Sequence, residues 1–167
     1  MRKSWVLFTL IAFCLASCRK YDIKHNACDG ELKVTPSNYN RTNVTIQAPN
    51  IITPNADGVN DIFMLFLSGV EGDGYKIKRD GITVFTSDSL NHWWQPPLGA
   101  NGEYTCIAEV TTVNRESLTI KAKFRMVFVE YGVSIEVKDC EKCLFPDMIT
   151  TQEGDYYETA EWLKCND

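Results

Sequence analysis

Histidine is nearly missing from this chain of 167 residues, which has two, His25 and His92. One falls in a polar stretch near the N-terminus and the other between strand-like runs, so no set of nucleophile, base and orienting group is evident. The body of the chain lacks sustained apolar spacing of three and four residues, which excludes a helical bundle. No basic stripe is visible, and Asp plus Glu outnumber Lys plus Arg by 22 to 17, a balance that argues against nucleic acid as a partner. Long apolar runs are missing too: the one candidate, residues 5–13, is too short to cross a bilayer.

That short run sits in a processing signal. Arg2 and Lys3 precede it and Leu15-Ala16-Ser17-Cys18 follows it. A basic start, an apolar centre and small residues ahead of a cysteine make a bacterial lipoprotein signal, whose cleavage leaves Cys18 as a lipid-bearing N-terminus. Each buried acyl methylene contributes about 0.8 kcal/mol, so two or three chains hold a protein on a membrane almost permanently. The membrane is thus the first expected partner. Cleavage removes two basic and no acidic residues, which leaves 150 residues and moves the net charge from −5 to −7. That length suits one domain with a real core.

Seven cysteines are present, of which Cys14 leaves with the signal and Cys18 carries lipid. The other five lie where thiols oxidise, so two disulfides and one unpaired cysteine are expected. Cys106 sits in the alternating run Tyr104-Thr105-Cys106-Ile107-Ala108, where a buried thiol behaves as a small hydrophobe, and is expected to be the unpaired one. Cys28, Cys140, Cys143 and Cys165 then pair among themselves in one of three connectivities, with Cys140 to Cys143 disfavoured by its short loop. The Cys140-Glu141-Lys142-Cys143 spacing also fits a redox or zinc motif. A redox pair needs a helix start inside a βαβ unit, and zinc needs Cys28 or His25 beside Cys140, Cys143 and Cys165. Structural disulfides are the simpler expectation.

Along the chain, residues 19–26 form a polar tether and residues 31–35 and 43–47 are short β-like runs. Residues 61–67 read as a buried strand. Residues 75–79 and 82–87 flank Asp80-Gly81, a strong hairpin signal because a type I′ turn needs positive φ at both central positions. Residues 103–110 and 118–130 form a second hairpin around Val113-Asn114-Arg115-Glu116-Ser117, and residues 133–137 add a strand. Only residues 155–164, with Ala160, Trp162 and Leu163, suggest a short helix. So many short strands with turns between them predict an all-β, antiparallel sandwich.

One motif carries a family resemblance. Ile51-Ile52-Thr53-Pro54-Asn55-Ala56-Asp57-Gly58-Val59-Asn60-Asp61-Ile62-Phe63 resembles the opening of the gliding-motility-associated C-terminal domain of Bacteroidota. Arg79-Asp80-Gly81-Ile82-Thr83-Val84-Phe85 is similar to that family's hairpin, with Asp80 in place of an aromatic residue. Trp94 stands where the family has the tryptophan of a W-D-G motif, and Gly102-Glu103-Tyr104 matches the start of a later strand. The resemblance implies an immunoglobulin-like sandwich of cell-surface and secreted proteins, one subclass of which is a sorting signal for type IX secretion. The expected organisation is a signal peptide at 1–17, anchor, tether and first strands at 18–47, the immunoglobulin-like domain at 48–132, and a disulfide-linked extension at 133–167.

Asn55, Asp57, Asn60 and Asp61 place four oxygen-bearing side chains close together, a density that suits calcium, the one cofactor the sequence suggests. Their spacing misses the EF-hand template, since Thr53 and Met64 occupy its first and twelfth positions. A turn in which these side chains bond their own backbone, with Gly58 at positive φ, is the competing reading and the favoured one. Trp93 and Trp94 are adjacent, so on an extended strand one packs inside while the other, expected to be Trp93, is free to bind a ligand. The acids Glu153, Asp155, Glu158 and Glu161 read as a solvated helix face rather than as a catalytic pair. The expected function is that of a non-catalytic outer-membrane lipoprotein, facing the periplasm or the cell surface, that acts in adhesion, assembly or recognition of an envelope protein or glycan. A docking module of the gliding or type IX secretion apparatus is the alternative.

Overall fold

A computed structural model describes residues 27–130, 133–149 and 158–166. The signal, Cys18, the tether with His25, and the acids Glu153 and Asp155 lie outside the described residues. The strands in chain order are β1 Leu32–Thr35, β2 Thr45–Gln47, β3 Ile51–Ile52, β4 Phe66–Ser68, β5 Val70–Glu71, β6 Tyr75–Arg79, β7 Ile82–Ser87, β8 Gly102–Thr112, β9 Ser117–Met126, β10 Ile135–Lys138 and β11 Leu163–Asn166. The fold is all-β and mainly antiparallel, an open sandwich with a disulfide-linked C-terminal extension.

The β8–β9 hairpin is the backbone of the main sheet, paired without interruption from Gly102↔Met126 to Thr111↔Ser117. Alternation gives it two faces. Tyr104, Cys106, Ala108 and Val110 on β8 and Leu118, Ile120, Ala122, Phe124 and Met126 on β9 are buried. β1 adds to β9, β6 to β8 and β7 to β6, in the order β1-β9-β8-β6-β7, with short β3 and β5 at the ends of β9 and β8. β1, ahead of the expected domain start at residue 48, is therefore a strand of the main sheet, and β2 pairs with β4 in the second layer. Between β6 and β7, Asp80 and Gly81 have φ of 51° and 80°, the backbone that a type I′ turn requires.

Residues 61–67 are less regular than expected. Only Phe66 and Leu67 join a ladder, within β4, while Phe63 makes an isolated bridge to Trp94. The reason is that this segment crosses the open face of the main sheet instead of running within it. Phe63 and Leu65 point into the core, and Ile62 and Met64 face away from it half-exposed. Phe63 stacks on Phe124 at 4.1 Å between ring centroids, and Trp94 leans on Tyr104 at 5.7 Å. The Tyr75 hydroxyl donates to the His92 carbonyl at 2.6 Å, tying the Trp94 segment to β6.

A second, smaller core joins the extension to the end of the main sheet. Adjacent residues of β3 serve the two cores, Ile52 the first and Ile51 the second, where it meets Val127, Ile135, Val137 and Phe145. Disulfides Cys28–Cys143 and Cys140–Cys165 close this core, and Cys106 is free and buried. The described part of the expected C-terminal helix is not helical. Leu163–Asn166 is instead a strand parallel to β10, with Val137 opposite Cys165, because the bond to Cys140 just beyond β10 holds this segment alongside it.

Two outcomes follow. Phe63→Ala removes the ring on which the two layers meet and is expected to cost about 3–5 kcal/mol in urea unfolding. Burial pushes the Cys106 thiol up, so Cys106 should resist a thiol reagent in the native protein and react only after unfolding.

Candidate functional site

The loop from Thr53 to Asp61 turns on three residues with positive φ, Ala56 at 65°, Gly58 at 89° and Asn60 at 50°. Its centre is the Asp61 carboxylate. One oxygen accepts the amides of Asn55 and Ala56 at 2.8 and 2.7 Å, and the other accepts that of Gly58 at 2.7 Å. Asn55 Oδ1 accepts the Asp57 amide, and Asp57 Oδ1 accepts that of Val59. The four residues weighed as calcium ligands are thus brought together, but in the self-bonded turn: both Asp61 oxygens already hold amide protons. Asn60 points elsewhere, its Oδ1 accepting the Asp147 amide at 2.9 Å and its Nδ2 donating to Thr159 at 3.2 Å.

The loop is consequently the seat of the extension. Asp147 Oδ2 accepts from the Thr159 hydroxyl and the Ala160 amide, and the fully buried Thr53 donates its hydroxyl to Glu161. Glu161, expected on a solvated face, is half-buried here because the extension folds back over the loop. Burial holds its carboxyl above the ordinary glutamate range and the nearby carboxylates of Asp57 and Asp147 add to the rise, while hydrogen bonds from Thr53 and Asn60 oppose it. Nothing in the local sequence signals this, since the cause is contact between segments about a hundred residues apart.

Beside the loop lies a groove of about 470 Å³. Ile62, Met64 and Phe66 form its apolar floor, Trp93 stands at its side, and the exposed Gln95 amide and Asp147 supply a polar rim. Trp93 is 49% exposed and Trp94 7%, the division expected of neighbours on an extended strand. Sequence alone pointed to Trp93 but missed the floor, whose signal is the every-second-residue spacing of Ile62, Met64 and Phe66. Comparison with protein-family models, with curated proteins and with solved structures found no match.

The four cysteines weighed for zinc have their sulfurs taken up in disulfides. One expectation needs correcting. A basic stripe does exist, on the outward face of the main sheet, where Lys76 and Lys78 on β6 and Lys121, Lys123 and Arg125 on β9 alternate with buried residues. A search for contiguous basic runs passes over it because the strand period separates its members by two.

A carboxyl raised in the folded state binds its proton more tightly there than in the unfolded chain. Its stabilising contribution is present below the unfolded value and is lost as pH rises through the folded one. Glu161→Gln keeps the acceptor for Thr53 without the charge. It should therefore melt higher than the parent protein at neutral pH, and the difference should vanish in melts at about pH 4.

Proposed function

We propose that this chain is a non-catalytic lipoprotein of the cell envelope, held to the outer membrane through Cys18, whose immunoglobulin-like domain recognises a protein or glycan. The observation that carries the reading is the groove beside Trp93. An exposed indole over an apolar floor with amide and carboxylate groups at its rim can stack on a sugar ring or take an apolar side chain, and it can hydrogen-bond the polar groups around either. The loop that bounds the groove is fixed by its own hydrogen bonds, so little ordering entropy is lost on binding. Two disulfides suit an oxidising compartment. The lipobox motif supplies the attachment.

A second reading rests on the stretch from Ile51 to Phe63, which resembles a domain associated with gliding motility and secretion. In that reading the same groove docks the protein onto the gliding or type IX secretion machinery. Capture from solubilised envelopes separates the two: secretion or motility subunits favour the docking role, and a glycan or an external protein favours recognition. Protease shaving of intact cells tells whether the domain faces outward.

Growth with a palmitate analogue should label the protein, and Cys18→Ala should abolish the label and release the protein from the membrane fraction. Trp93→Ala should leave the melting temperature nearly unchanged, because the side chain is half-exposed, and weaken capture of the partner about tenfold. Unlabelled protein, or capture that ignores Trp93, would count against the corresponding half of the proposal.

A further inference from the structure

The outward face of the main sheet carries five lysines in two neighbouring cross-strand rows. One row runs Lys33, Lys121, Ile107, Lys76 from β1 through β9 and β8 to β6. The next runs Lys123, Thr105, Lys78. Among the described residues none of the five forms an ion pair. Lys33 stands directly opposite Lys121, and like charges in that position destabilise a sheet, so the fold gains nothing from that pair. The acids on this face lie at its margins. Glu31 is at the β1 end of the second row, where its carbonyl accepts the Lys123 amide and the register sets it opposite Lys123. Glu103 is paired with Arg125 at 2.6 Å, Glu109 accepts from Thr119, and Asp29 and Asp80 sit on the rim of a shallow concavity.

The chain leaves the described domain at the edge of this face. Ala27 and Gly30 line the same concavity as Lys78 and Lys123. Eight residues separate Ala27 from Cys18, a reach of at most about 30 Å when fully extended. With Cys18 in a membrane, the lysine face is within one short tether of the lipid headgroups, while most of the other charge on this net-acidic chain is negative and repelled by them.

We propose that this lysine face binds anionic phospholipid headgroups and lays the main sheet against the membrane. Lysine is well matched to a fluid surface, because its amine is a mobile point charge on a long stem that can follow the phosphates as they move. Five such groups act together, each strengthening attachment roughly fivefold next to an anionic bilayer, in a manner screened by salt. The inference rests on the Cys18 reading only for the nearness of the membrane, and the test is made without the lipid.

The probe is the chain from residue 18 onward with Cys18→Ser and its disulfides intact, sedimented with phosphatidylcholine vesicles containing one-third phosphatidylglycerol or none. Binding is expected to the anionic vesicles alone and to disappear in half-molar salt. Lys76→Gln, Lys121→Gln and Lys123→Gln together should weaken it at least tenfold with the melting temperature preserved. Arg41→Gln, Arg115→Gln and Lys138→Gln together, the same change of charge elsewhere, should weaken it far less. Equal loss in both triple variants, or no sedimentation with anionic vesicles, overturns the proposal. So does binding to dextran sulfate without binding to vesicles, which would assign the face to a soluble polyanion. None of these results bears on acylation, and an unlabelled Cys18 would leave a positive vesicle result standing.

Discussion

The register of β8 on β9 is the constraint from which the rest of the structure follows. Their long uninterrupted ladder puts Tyr104, Cys106, Ala108, Phe124, Ala122 and Ile120 on one face and Lys121, Lys123, Arg125, Thr105 and Ile107 on the other. A slip of one residue would drive the basic side chains into the core and lift Phe124 into water, at a cost of several kcal/mol for each unpaired charge. Small residues lie at the centre of the inward face, where Cys106 is opposite Ala122. That places the rings of Phe63 and Trp94, which arrive from the second layer, close to the sheet. The groove inherits its position from this packing, since Ile62, Met64 and Trp93 face out because their neighbours face in.

Beside the second core, one residue ties the extension to the same sheet. Asn50 Nδ2 donates to the Cys28 and Lys142 carbonyls, and its Oδ1 accepts the Leu144 amide. Its own carbonyl accepts the Arg125 amide from β9 at 2.9 Å. Asn50 therefore joins the N-terminal segment, the main sheet and the extension at one point, and Gly30 lets it approach: a Cβ on Gly30 would fall 2.5 Å from that of Asn50. The two disulfides act around this junction. In the loop-entropy account, a bridge across a separation of 115 residues limits the unfolded chain by about 4–5 kcal/mol and one across 25 residues by about 3.5 kcal/mol. The bridges hold in place an extension whose small core, among the described residues, includes few large apolar side chains, Phe145 and Ile135 among them.

Features fixed by local chemistry were legible from the sequence. Asp80-Gly81 set a hairpin whose strands run as expected, because few residue pairs tolerate positive φ twice in succession. The alternation around Cys106 marked a buried, unpaired thiol, and the neighbouring tryptophans divided between core and surface as strand geometry requires. What stayed hidden depends on distant contacts. The local composition of residues 155–164 suits a helix, yet in its described part, from 158 onward, the Cys140–Cys165 bond and the pairing with β10 override it. Glu161 reads as a surface acid, and only the arrival of Thr53 buries it. The lysine face is divided among three strands, so its charge density exists only once the register brings Lys33, Lys121 and Lys76 into one row.

The groove and the lysine face lie on opposite sides of the sandwich, and this follows from alternation alone. The floor residues point away from the core in the second layer, and the lysines point away from it in the first. Under the proposed reading the division has a mechanical meaning. A protein held by lipid at one end of a short tether can turn freely, and a partner would meet its groove in only some orientations. Attraction between the lysine face and anionic headgroups would restrict that rotation, leaving the main sheet against the bilayer and Trp93 directed away from it. The entropy of orientation would then be lost once, on attachment, rather than at each encounter with a partner, which is the advantage of preorganisation applied to a whole domain. The rigid Asp61-centred turn extends the same logic to the groove, since a rim fixed by three amide hydrogen bonds needs no further ordering when it is occupied.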